Sequence, residues 1–276
     1  MLAHKTDGAA VVYDFFVNTP LRRGDADAID LDPFQADFGE ATQEFHIGLG
    51  AVATPGVIAG LFEVHRDLGR LPVDRLFEPA VRAARDGVLI NPFQAYLFQV
   101  IAPVYVATPG ARASYGVDRA ALPASGQRFR QPELGDTLEW LARKGPGVFY
   151  RGELGERLTT ECAANGGQLT HEDLRGYQVI RRVPLALDYR DSRIYTNPPP
   201  SSGGMLIGFA LSLLDCISVA EPEQWLLTLA KTMALTNRTR LEEAEPLLNQ
   251  ALRERYRKEM IAPATCNRGT TELSIL

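Results

Sequence analysis

The segment Pro198-Pro199-Pro200-Ser201-Ser202-Gly203-Gly204 decides how the second half of this chain is read. Each proline holds φ near −65° and lacks an amide donor, so three in a row make a stiff, extended rod. The rod ends at two serines, either of which suits the cap of a helix beginning at about Gly203 to Met205. Upstream, residues 178–197 have strand character, carried by Val179, Ile180, Val183, Leu185, Leu187, Tyr189, Ile194 and Tyr195. Downstream, apolar spacing predicts helices near 204–217 and 222–240, and a basic helix near 245–260. On mechanics alone the segment is a rigid strand-to-helix corner, which requires no chemistry.

Moving toward the N-terminus, the same punctuation recurs. Asn165-Gly166-Gly167 stops a helix over 153–165, and another is predicted over 132–144. Val57, Leu61, Val64 and Leu68 repeat at helical spacing, with Thr54 as candidate N-cap, Pro55 in the first turn and Gly69 at the end. A second amphipathic helix over 74–86 closes at Gly87, and Asn91-Pro92 opens a third. The chain begins as a β-hairpin, residues 1–16, whose Asp7-Gly8 turn supplies positive φ. Residues 24–47 are polar and acidic without a sustained period and are predicted to be loop; their aspartates lack the glycine and terminal glutamate of a calcium loop. The expected class is a helix-rich α+β fold without internal repeats.

Composition removes several functions. With 276 residues, 45% of them hydrophobic, the chain is long enough to bury a substantial core. Its 29 basic and 34 acidic residues are interspersed, which argues against nucleic-acid binding. No run reaches the roughly 18 apolar residues of a membrane span, and no signal-peptide pattern opens the sequence. Cys162, Cys216 and Cys266 follow no CxxC spacing, so buried or idle thiols are expected. The four histidines, His4, His46, His65 and His171, do not pair at metal-ligand spacing, so neither a metal nor any other cofactor is expected. Gly56, Gly60, Gly203 and Gly204 match no phosphate-loop pattern, and Ser201 and Ser202 lie in no GxSxG or SxxK frame, which places an unrelated serine hydrolase last among the readings.

Taken together, five strings resemble the large-subunit half of the γ-glutamyltranspeptidase family, whose members are N-terminal-nucleophile hydrolases. They are the proline rod with its serines and glycines; Leu169-Thr170-His171-Glu172-Asp173-Leu174-Arg175-Gly176-Tyr177 followed by Arg182-Val183-Pro184-Leu185; Ala53-Thr54-Pro55-Gly56-Val57-Ile58-Ala59-Gly60-Leu61; Gly147-Val148-Phe149-Tyr150-Arg151-Gly152; and Arg268-Gly269-Thr270-Thr271-Glu272-Leu273-Ser274. The resemblance implies a large-subunit-like domain over 1–269 and the first residues of a truncated small subunit over 270–276. It also implies the helical and one-sheet part of an αββα sandwich, incomplete without that small subunit, and an N-terminus from which about the first fifth of a precursor is absent.

The chemistry implied by the resemblance is autocatalytic cleavage of the Gly269–Thr270 bond. Thr270 then becomes an N-terminus whose hydroxyl is the nucleophile, activated by its own α-amine, with Thr271 in support. Read without the family, the same Thr-Thr pair is the start of a β-strand. Two positions depart from the family pattern. Glu272 stands where histidine is usual. Asp14-Phe15-Phe16 stands where many members carry Asp-Phe-Arg, the arginine gripping the α-carboxylate of a γ-glutamyl group by a bidentate, charge-assisted contact. Phe16, Ser201, Ser202, Gly203 and Gly204 are thus the substrate-pocket candidates, and the expected substrate is a small γ-glutamyl compound or another amide. The expected partner is a small catalytic subunit carrying the oxyanion donors. Losing one such donor typically costs about 10² to 10³ in rate, so the chain alone is expected to be inert. The alternative is a non-catalytic binding or scaffold protein that keeps the large-subunit fold.

Overall fold

A computed structural model describes residues 1–116, 121–215, 217, 221–242 and 249–261. The chain divides into two compact units, Met1–Tyr13 with Arg181–Leu276, and Asp14–Ile180. The opening hairpin is present: β1 (Leu2–His4) pairs antiparallel with β2 (Ala10–Asp14), Leu2 facing Val12 and His4 facing Ala10. Gly8 takes φ +87 in the turn, and the Asp7 side chain accepts from the Ala9 N–H at 2.9 Å.

Within the second unit, residues 24–47 are not the loop that their composition predicts. A one-turn 3₁₀ helix at Ala26–Ala28 leads to an antiparallel hairpin, β3 (Asp32–Asp37) with β4 (Thr42–Ile47). Charged residues break the hydrophobic alternation because both faces are largely exposed. The pairing rests on the main-chain ladder, on Phe34 stacked over Phe45 at 5.8 Å, and on Gly39 at φ +98 in the turn. Helix α1 (Val57–Leu68) ends at Gly69 as expected, but its N-cap is Gly56 and not Thr54. Thr54 is buried and bridges to Asn18 instead, so a tertiary pairing overrides the local capping signal. Helix α2 (Val73–Asp86) closes at Gly87 with φ +82, and β5 (Val88–Leu89) leads to α3 (Pro92–Val100), which opens with a reciprocal capping box between Asn91 and Gln94.

Two short helices, α4 (Ala102–Val106) and α5 (Pro109–Tyr115), and the strand β6 (Arg128–Phe129) assemble an aromatic cluster in which Tyr105 packs against Phe98 and Tyr115, and both of those rings against Phe129. Helix α6 (Pro132–Lys144) lies along α2, and Arg85 reaches across to Asp136 and Glu139. A single-turn helix α7 (Gly147–Tyr150), then α8 (Glu153–Ala164) and α9 (His171–Gly176), complete this unit. Its core is Tyr150, Cys162, Leu169 and Leu174, with Ile58, Phe149, Leu158 and Tyr177 packed around it. Cys162 is the free buried thiol, its ionisation pushed up by burial and then by the Glu161 charge. Cys266 and Cys216 lie outside the described residues.

The first unit resumes with β7 (Ile180–Arg182), third in the sheet order β1-β2-β7, and the hairpin β8 (Leu185–Tyr189) with β9 (Ser192–Thr196). Beyond the proline rod come α10 (Ser202–Leu214), α11 (Pro222–Glu242) and α12 (Gln250–Ile261), which pack on one another around Met205, Phe209, Leu213, Leu235, Tyr256 and Met260. Along α11, Leu226, Leu227, Met233 and Leu241 stay exposed. The fold is α+β, as its sequence predicts, and no helix among the described residues is long and apolar enough to cross a membrane.

Candidate functional site

Immediately beyond β2, Phe15 lies on the N-terminal half of α1 and leads into Phe16. Glycine is required there. A Cβ on Gly60 would collide with the Phe15 ring, and one on Gly56 with the Phe15 carbonyl and the Tyr177 hydroxyl. These two glycines, one helical turn apart, let the segment lie flat on α1, which is a packing explanation for the Pro55-Gly56 to Gly60 string.

Residue 16 is held by its main chain. Its N–H donates to Asp14 Oδ1 at 3.2 Å, and its carbonyl accepts from the Tyr177 hydroxyl at 2.7 Å. The residue as a whole is nevertheless 79% exposed. Tyr177 stacks on Tyr150 with centroids 5.8 Å apart, and Tyr150 donates to the Pro55 carbonyl at 2.8 Å while accepting from the Ala59 N–H at 3.2 Å. Burial, then the neighbouring Tyr150 and Asp14 charges, push the Tyr177 hydroxyl up to about 12, so it stays a protonated donor throughout the ordinary pH range.

A second clamp fixes the chain just beyond. Asp173, buried at the start of α9, accepts from the Leu21 N–H at 2.7 Å, the Thr170 N–H at 2.7 Å and the Thr170 hydroxyl at 2.6 Å. Burial raises its carboxyl pKa, but these hydrogen bonds and the Arg22 charge outweigh that, and the net position is below the usual aspartate value. A group depressed in this way contributes stability that is complete above its unfolded pKa of about 3.9 and disappears as pH falls through the lower folded value. Asp173→Asn is therefore expected to cost on the order of 2 kcal/mol near neutral pH, and to flatten the acid side of this unit's stability profile below about pH 4. Urea titrations from neutral to acid pH check this, and an acid limb as steep as wild type would refute the clamp.

The other candidates occupy the start of α10, in the first unit. Ser201, one of the two cap candidates, is the N-cap residue, so α10 starts at Ser202, one position earlier than expected, but the Ser201 side chain caps nothing; its N–H donates to the Pro198 carbonyl at 3.1 Å. The Pro199–Pro200 bond is cis. Ser202 and Gly203 are exposed, while Gly204 is buried with its α-carbon against the Asn197 main chain. The histidines lie elsewhere: His4 tilts against Tyr195, His46 sits beside Glu44, His65 bonds the Leu71 carbonyl, and His171 opens α9 with its Nε2 buried and without a hydrogen-bond partner among the described residues. Among the described residues no group of three or more His, Cys, Asp or Glu is placed to hold a metal ion. Gly269, Thr270, Thr271 and Glu272 lie outside the described residues.

Sequence reasoning did not single out Tyr150, Tyr177, Asp173 or Thr170 individually. For Thr170 and Asp173 a signal existed, since threonine followed three residues later by an acid is a capping-box pattern. The tyrosine contact spans 161 positions and leaves no local trace.

The sequence matches the family profile described as Gamma-glutamyltranspeptidase over residues 1–267. It is 30% identical over 218 residues to glutathione hydrolase 3 of Arabidopsis thaliana, covering 79% of this chain and 32% of that protein. It is 32% identical over 213 residues to the acylase ACY 1 proenzyme of Pseudomonas sp. strain V22, covering 76% of this chain and 38% of that protein. Its fold superimposes on the crystal structure of Helicobacter pylori gamma-glutamyltranspeptidase with a TM-score of 0.81 at 23% identity, covering 96% of this chain and 78% of that one. The chain spans about a third of the length of the curated relatives it matches. With nearly its whole length matched and its fold shared, the chain belongs to the gamma-glutamyltranspeptidase family.

Proposed function

We propose that this chain is the large-subunit part of a threonine amide hydrolase or acyltransferase whose acyl donor is not held by the usual arginine clamp. In this reading the chain completes an αββα sandwich together with a small catalytic subunit. Cleavage of the Gly269–Thr270 bond frees the Thr270 amine. That amine takes the proton of the Thr270 hydroxyl as its oxygen attacks the amide carbonyl, and returns it to the departing amine. Water or an acceptor amine then releases the acyl group from Thr270. Thr271 supports the nucleophile, and Ser201, Ser202, Gly203 and Gly204 contribute to the pocket.

The observation that carries the reading is the family match over residues 1–267. The donor preference is supported by Phe16, an exposed apolar side chain where the resemblance places the arginine, and by a relative named as an acylase. A charge-assisted contact to a carboxylate is worth about 1.5–3 kcal/mol, or roughly ten- to a hundredfold in affinity. A donor that has no α-carboxylate does not need it.

The test is co-expression of the 276-residue chain with a small-subunit polypeptide of this family, intact-mass measurement, and assay of phenylacetyl-p-nitroanilide beside γ-glutamyl-p-nitroanilide. The expected result is a mass corresponding to a chain ending at Gly269, with the phenylacetyl donor preferred at least about tenfold, and that preference falling in Phe16→Arg. An intact chain that turns over neither donor refutes the reading and favours a non-catalytic binding or scaffold protein, toward which Glu272 and Phe16 also lean.

A further inference from the structure

We propose that Tyr177 is a positioning residue for substrate selection, its hydroxyl fixing the main chain at residue 16 so that the Phe16 side chain is presented to the acyl group in one orientation. The inference rests on the reading of Phe16 as an acyl-donor contact. The usual way to order an aromatic side chain is to bury its ring. Here residue 16 is 79% exposed, and its order is supplied by the main chain alone. The N–H is taken by Asp14 and the carbonyl by Tyr177, while the next ring back, Phe15, is seated on Gly60. Two positions further on, Asn18 exchanges main-chain hydrogen bonds with Thr54, at 3.1 and 2.8 Å. Residue 16 is thus the exposed point of an otherwise fastened segment.

Tyr177 holds the segment from a third region of the chain, 161 positions further on. It comes from the far end of α9, and its hydroxyl occupies the space that a side chain on Gly56 would need. Its ring lies on Tyr150, whose hydroxyl is committed to the α1 turn through Pro55 and Ala59. The Tyr177 hydroxyl thus bonds the carbonyl of the residue proposed to select the donor, while its ring rests on a tyrosine that is itself bonded to the start of α1.

Two measurements on Tyr177→Phe test this. In the isolated 276-residue chain, hydrogen–deuterium exchange of the peptide covering 14–18 is expected to accelerate several-fold, up to about tenfold for loss of one hydrogen bond, while a peptide over 92–100 exchanges as in wild type. Tyr96→Phe removes a comparable hydroxyl, which donates to the Phe38 carbonyl at 3.2 Å, and is expected to leave 14–18 unchanged. Exchange at 14–18 equal to wild type in Tyr177→Phe overturns the proposal. In the complex with the small subunit, the ratio of kcat/KM for the phenylacetyl and γ-glutamyl anilides is expected to fall several-fold toward unity. An equal loss for both donors marks a merely structural tyrosine and also overturns it. If the wild-type complex turns over neither donor, the proposed function has failed, and the exchange result still decides whether Tyr177 orders residue 16.

Discussion

Alanine at Gly204 is expected to destabilise the first unit by on the order of 3 kcal/mol, whereas alanine at the adjacent Gly203 is expected to be neutral or to stabilise it by up to about 1 kcal/mol. A Cβ at 204 would meet the carbonyl oxygen of Asn197, and the Asn197 amide and carbonyl carbon lie close behind it at 2.9 Å. Those are main-chain atoms at the end of β9, and they cannot rotate away as a flexible side chain would. A Cβ at 203 meets nothing within 4 Å, so that substitution only trades glycine for the best helix former inside α10. The two tryptophans make the measurement clean, because Trp225 lies in the first unit and Trp140 in the second. In a Trp140→Phe background, urea unfolding is followed at Trp225, in the same unit as α10. Equal midpoints for the two alanine variants would mean that α10 does not start against Asn197.

Phe209→Ala is expected to have the larger effect, about 3–5 kcal/mol. The ring is fully buried at the meeting of α10, α11 and α12, and stands edge-on to Tyr256 at 5.9 Å. Tyr256 is itself completely buried and carries the guanidinium groups of Arg238 and Arg255 over its ring at 4.8 and 4.6 Å. Removing Phe209 leaves a cavity bounded by three helices that also hold one another, so collapse to fill it is limited. Ile207 on the same helix is 55% exposed, and Ile207→Ala is expected to cost less than about 0.5 kcal/mol. A Phe209→Ala cost no greater than that of Ile207→Ala would disprove the packing of α10 on its neighbours.

What was legible in the sequence is what short-range rules encode. Gly69, Gly87 and the Asn91-Pro92 pair mark true helix ends, because each solves a problem within four residues of itself. The α6 span over 132–144 agrees at both ends. The 32–47 hairpin escaped because its strands bury little, and hydrophobic alternation is the signal of a buried face. Thr54 and Ser201 show a different failure, since both have the chemistry of a cap and neither caps its helix; one is drawn into a pairing with Asn18, and the other stands at the cap position without its side chain engaged. Of the pocket candidates, Phe16 was found through its departure from a family pattern. The tyrosine that fastens it lies 161 positions away, where only tertiary structure makes the connection.

The division of labour at residue 16 bears on how such a protein diversifies. Because order there comes from the backbone and its ring touches little, exchanging the side chain costs the fold almost nothing, in keeping with the small effect of most surface substitutions. On the proposed role of Phe16 in donor choice, selectivity and foldedness would be separately heritable: one codon would retune the acyl group accepted, with no compensating change elsewhere and no excursion below the stability threshold that purges most mutations.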